Sequence, residues 1–259
     1  MKKSLFVTSL LALCLSLLSA SAQPRGRGGM GGPPQGPKFD AAMAKLFGDN
    51  SAFSANLEFQ MTAEGKPMTM PGKMAYLDGK SRFEVNMTDM KGGNAPPPEA
   101  MEHMKAMGMD TRVTVSRPDK KATFMIFPGM QAYAETPMKE ADSDTTAEKS
   151  KIETTELGKE TVDGHPCVKT KVVVTDDNGK SHEFTVWNAT DLKKFPVKID
   201  TGDGGHAVTM LFKDVKLSKP EASLFDPPAD FQHYDSVPSM MQQEMMKRMG
   251  GGMGMPPMH

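Results

Sequence analysis

Over much of this chain, apolar and polar side chains change places at every second residue. Ala55, Leu57, Phe59 and Met61 alternate with Asn56, Glu58 and Gln60, and Phe83, Val85 and Met87 alternate with Arg82, Glu84 and Asn86. Val113 and Val115 alternate with Arg112 and Thr114, Phe184 and Val186 with Glu183 and Thr185, and Val208, Met210 and Phe212 continue the pattern. A period of two puts every apolar residue of a strand on one face. It therefore predicts half-buried antiparallel strands with one wet and one dry side. Leu77-Asp78-Gly79-Lys80, Asp163-Gly164, Asp177-Asn178-Gly179 and Gly202-Asp203-Gly204-Gly205 supply hairpin turn chemistry between them. The fold class is mainly β (α+β): a single strongly curved antiparallel sheet or an unclosed barrel.

Helical periodicity appears in three places. Phe39, Met43, Leu46 and Phe47 share one helix face, closed by Gly48. Residues 96–109, PPPEAMEHMKAMGM, predict a short inserted helix started by proline. Before Gly250, Met241, Met245 and Met249 recur at helical spacing. Residues 135–151 are polar and charged, and predict a mobile loop.

The ends differ from the middle. Residues 1–22 begin with Lys2 and Lys3, continue as an apolar run from Leu5 to Leu18, and finish with Ala20-Ser21-Ala22. That is the layout of a secretory signal peptide cleaved near Ala22, and the run is too short to span a bilayer. Residues 23–38 are a Gly/Pro-rich leader; the GxGxxG at Gly26, Gly28 and Gly31 has no strand before it and prolines after it, so it is no nucleotide fingerprint. The expected organisation is thus signal peptide 1–22, disordered leader 23–38, β domain 39–235 and Met-rich flexible tail 236–259, with no transmembrane span in the mature chain. The destination is the periplasm or the extracellular space. Of the two cysteines, Cys14 leaves with the signal, and Cys167 alone cannot form an internal disulfide. A formal net charge of −1 gives no electrostatic footprint for nucleic acid.

From Ile152 onward the chain carries Gly158-x-Glu160, Gly164-x-x-Cys167-x-Lys169, an alternating strand ending in Trp187, Phe195-Pro196-Val197-Lys198, then Leu224-Phe225-Asp226-Pro227-Pro228 and Phe231. In that order these resemble the exported bacterial proteins of the domain of unknown function 4412 family. More distantly they resemble the Lol-type lipoprotein carriers (LolA/LolB-like fold). The resemblance implies an unclosed antiparallel barrel wrapped over helices, with an apolar interior. Through the distant relatives it implies a lipid, lipoprotein or envelope protein as partner. It implies no established activity.

If the alternating residues point into one hollow, Leu57, Phe59, Phe83, Val85, Phe124, Phe184, Val186 and Phe212 line it. That hollow is either a ligand cavity or a core filled by the helices at 39–47 and 97–107. A second reading uses the methionines, 25 in all. Met101, His103, Met104, Met107 and Met109 fall within nine residues, and Met253, Met255, Met258 and His259 close the chain. Thioethers suit Cu(I). The same runs read equally as core packing or as exposed residues that buffer oxidation. A structural or interaction module of the envelope is the third reading. His165 and Cys167 are too few for zinc. His182-Glu183 lacks the second histidine of HExxH, and no GxSxG elbow is present. The chain is read as non-enzymatic, with no cofactor.

Overall fold

A computed structural model describes residues 41–63, 65–93, 95–138, 151–175, 179, 181–201 and 208–250. All belong to the unit Phe39–His259. The signal peptide, the leader, Phe39, most of the 135–151 loop and the four ligand candidates after Gly250 lie outside the described residues.

Thirteen strands form one sheet among the described residues, built from two antiparallel meanders. The first comprises β1 (Ala52–Ala63), β2 (Lys66–Leu77), β3 (Lys80–Asn86), β5 (Thr111–Arg117), β6 (Ala122–Phe127) and β7 (Ala132–Pro137). The two-residue β4 (Lys91–Gly92) pairs with β2 alone. The second comprises β8 (Lys151–Val162), β9 (His165–Thr175), β10 (Ser181–Ala189), β11 (Phe195–Thr201) and β12 (Val208–Lys216). Pairing of β12 with β1 joins the meanders, and β13 (Gln232–Tyr234) adds in parallel to β7. The sheet is curled and unclosed: its ends are β8 and β13.

The turns form where their chemistry requires. Asp78 and Gly79 (φ 47° and 85°) connect β2 to β3, and Asp163 and Gly164 (φ 48° and 85°) connect β8 to β9. Positive φ at both central residues matches the right-handed twist of the flanking strands.

Pairing register fixes which residues share a face. One row crosses five strands: Val186, Ile199, Met210, Phe59 and Met70 are successive partners on β10, β11, β12, β1 and β2. Each is at most 2 % exposed. A second row runs Phe212, Leu57, Gly72, Val85, Arg112. A third runs Ala55, Met74, Phe83, Thr114, Met125, Ala134, Tyr234 and reaches the far edge.

Helix α1 (Ala41–Lys45) and the turn after it bury Met43, Leu46 and Phe47 against this inner face. The Phe47 ring lies 4.7 Å from Phe53, 5.4 Å from Phe195 and 5.5 Å from Phe212, so strands β1, β11 and β12 converge on one side chain. Helix α2 (Pro98–Ala106) buries no residue fully, although Met104 packs against the same core.

Residues 237–250 differ from the flexible tail expected from residue 236. They form helix α3 (Val237–Gly250), docked on the inner-face side of β7 and β13. Its buried side chains are Met240 and Glu244, one residue out of phase with the anticipated stripe, and Met245 is 43 % exposed. The docking has a polar reason. The Tyr234 hydroxyl donates to Glu244, while the Lys247 ammonium donates to both at 2.8 and 2.7 Å. Arg248 donates to the carbonyls of Ala106 and Gly129 at 3.1 and 3.0 Å, tying α3 to the end of α2 and to the turn before β7.

Candidate functional site

The inner face is the largest apolar surface of the described fold, and it gathers most of the anticipated lining. Leu57, Phe59, Val85, Phe184, Val186 and Phe212 are buried in one continuous cluster, and the half-buried Phe83 packs against it. Phe124 is not brought together with them. It pairs with Val115, which pairs with Arg82, so register turns it to the opposite face of the sheet from Phe83. There it packs with Val113, Ile126 and Phe225. Alternation on β6 is satisfied on either side, because both faces are covered there.

The interior is filled at rest by α1 and by methionines: Met43, Met68, Met70, Met74, Met87, Met90 and Met210 are all buried in this cluster. Unbranched thioether side chains repack more readily than branched or aromatic ones. Phe83 lies over Gly72, where a Cβ would come within 2.9 Å of its ring. The ring fills the dip the glycine leaves, and meets Phe59 edge-on at 5.0 Å. At the end of the second row stands Arg112, 8 % exposed, beside Val85. Burial pushes its guanidinium pKa below the ordinary arginine range.

The metal candidates from Met101 to Met109 fall on α2 and the residues directly after it. Met104 packs into the main core, Met109 into the separate cluster beneath α3, and His103 is exposed. Among the described residues no three of His, Cys, Asp and Glu are grouped to hold a metal ion. His165 pairs with Asp191 at 2.8 Å, while Cys167 is buried and its thiol donates to the His165 carbonyl at 3.3 Å. Burial pushes the Cys167 thiol pKa up, away from a reactive thiolate.

Three clusters were not visible in the sequence. Glu160, Lys169, Trp187 and Lys198 come from four neighbouring strands and meet at a bulge in β10. The Lys198 and Lys169 ammonium groups stand 3.9 and 4.8 Å from the Trp187 ring centre, and the indole N–H donates to Glu160. Secondly, the buried Arg117 grips Asp119 through two bonds of 2.8 Å. It also reaches Asp226 and the Phe225 carbonyl. These bonds hold the strap Ala222–Phe225 over the outer face, where Phe225 is fully buried. Thirdly, a polar cleft of about 370 Å³ on the outer face is lined by Asn56, Glu58, Lys73, Glu84, Asp89 and Lys213 among others. Its charges are largely paired, with Lys213–Glu58 at 2.9 Å and Lys73–Glu84 at 3.8 Å.

The profile of one family, described as a domain of unknown function (DUF4412), matches residues 53–194. The chain belongs to that family. The DUF4412 match runs from β1 to the residue before β11, so β11 and β12, the latter the partner of β1 at the joint, lie beyond it. No curated protein matches the chain in sequence. Among solved structures, the DUF4412 chain is similar to a LolA-superfamily protein from Nitrosomonas europaea, with 8 % identity over 71 % of this chain and 94 % of that one and a TM-score of 0.37. It is similar to the lipoprotein LppX of Mycobacterium tuberculosis, with 11 % identity over 68 % and 93 % and a TM-score of 0.37. It is also similar to LprF of Mycobacterium bovis, with 12 % identity over 70 % and 93 % and a TM-score of 0.36. No helix among the described residues is long and apolar enough to cross a membrane.

Proposed function

We propose that this chain is an exported, non-catalytic protein that shelters an apolar ligand or an acylated partner on the inner face of its curled sheet. One observation carries the reading. The inner face of an unclosed sheet holds a continuous apolar surface from β9 to β3, and part of its cover is a helix of five residues. This short helix and the turn after it, with Met43, Leu46 and Phe47 as their buried side chains, are a small plug to displace. The methionines around it adapt to a guest of another shape. Export is supported by Lys2, Lys3, the apolar run to Leu18 and Ala20-Ser21-Ala22. The buried ionisable groups Arg117 and Glu244 are engaged in structural pairs, consistent with a binding role.

The test is native mass spectrometry of protein purified from an envelope fraction, together with titration of the delipidated protein with an apolar fluorescent dye. Co-purified lipid, or dye emission competed away by lipid, is the expected result. A bare mass with no dye response overturns the reading.

A further inference from the structure

We infer that Arg112 is the recognition point for an anionic headgroup, so that the ligand of the inner face is an acyl chain ending in a carboxylate or phosphate. The inference rests on the binding role proposed above and narrows its ligand class. Arg112 belongs to the inner face by register: its partner on β3 is Val85, followed by Gly72, Leu57 and Phe212 across β2, β1 and β12. Every residue of that row other than Arg112 is apolar or glycine, and Leu57, Val85 and Phe212 are at most 4 % exposed. The row therefore reads as a strip with a cation at one end. With strands about 4.8 Å apart, its four intervals span roughly 19 Å. That is the form of an extended chain with a charged head.

A guanidinium in such surroundings is costly in free energy, because desolvation opposes its charge, and an apolar side chain of similar volume is often as stable or more so. Arg112 has contacts of its own at rest. A guanidinium nevertheless carries five donors in a planar fork matched to carboxylate and phosphate oxygens, so an incoming anion competes for the contacts those donors now make. Gly72, at the middle of the strip, leaves the floor low. The half-buried Phe83 ring covers it and is the side chain that must swing aside.

The experiment uses the mature protein, delipidated. It compares a fluorescent long-chain fatty acid, its methyl ester, and a lysophospholipid with a terminal phosphate. Each is titrated into wild type, Arg112→Lys and Arg112→Gln, and folding of each variant is checked by thermal unfolding. In wild type, the acid or the phosphate is expected to bind at least tenfold more tightly than the ester. That preference shrinks in Arg112→Lys and is lost in Arg112→Gln, whose ester affinity stays near wild type. The stronger of the two anionic probes identifies the head. Equal binding of acid, phosphate and ester by wild type overturns the inference and leaves the apolar site standing; this comparison needs no variant to fold. Displacement by excess inorganic phosphate alone overturns it in favour of a free-anion site. No binding of any probe overturns the proposed function and this inference together.

Discussion

Gly72 shows how a single missing side chain organises the inner face. A Cβ there would lie 2.8 Å from the Glu84 carbonyl oxygen and 2.9 Å from the Phe83 ring. Gly72→Ala must push a backbone or a ring aside, an overpacking cost of about 1–3 kcal/mol. The expected outcome is a lower urea midpoint at unchanged slope, together with altered dye binding, since Phe83 is the side chain displaced. Little of this was legible in the sequence. Pro67, Pro71 and Gly72 argue against a strand, yet β2 is central. Pro71 is tolerated because its neighbour β3 stops at Asn86 and the ladder resumes only at Lys91. Such a break is a property of the neighbouring strand, invisible in the local pattern. Trp187 teaches the same lesson. Glu160, Lys169 and Lys198 stand out in the sequence as motif residues by their order along the chain, but their meeting around one indole is a matter of strand register.

Among the elements, the strap at 222–226 depends most on charge. Arg117 holds the Asp119 carboxyl down at a pKa of about 2, and Lys120 with Arg117 lowers that of Asp226. Both carboxyls are depressed in the folded state, so their contribution is fully present above the unfolded value of about 3.9 and is lost as pH falls through the folded values. Neutral protein is therefore expected to keep amides 224–226 protected from hydrogen exchange. Between about pH 4 and pH 2 they should exchange before those of β5, beneath them. In Arg117→Met the same amides should lose protection already at pH 7. Protection that persists to pH 2 would show that burial of Phe225 alone holds the strap. Helix α3 was legible only in part. Methionines at 240, 241, 245, 246 and 249 support more than one helical phase, and what selects Met240 is the buried polar pair of Tyr234 and Glu244, a tertiary contact.

For the whole molecule, the joint between the meanders decides stability. Strands β11 and β12 lie between β10 and β1 in space and follow the family match in sequence. They contribute Phe195, Val197, Ile199, Met210 and Phe212, all at most 2 % exposed. At about 1.5–3 kcal/mol for each buried side chain, their loss removes roughly 8–15 kcal/mol, comparable to the whole stability of an ordinary domain. A chain ending at Lys194 is expected to show no cooperative thermal transition and a red-shifted emission from Trp187, the only tryptophan present. The two-residue period foretold a curved antiparallel sheet because each strand records its own dry side. It could not foretell that β12 returns to β1, a pairing between residues some 150 positions apart. The terminal strand β8 carries a further consequence. It is exposed on nearly its whole length, bears Lys151, Glu153, Glu156, Lys159 and Glu160, and is bent by an irregularity at Gly158, with φ 143°. A flat border of that length would invite stacking of molecule upon molecule into fibres. Mixed charge and a kink oppose that growth, which lets an open rim of this length stand without a covering strand.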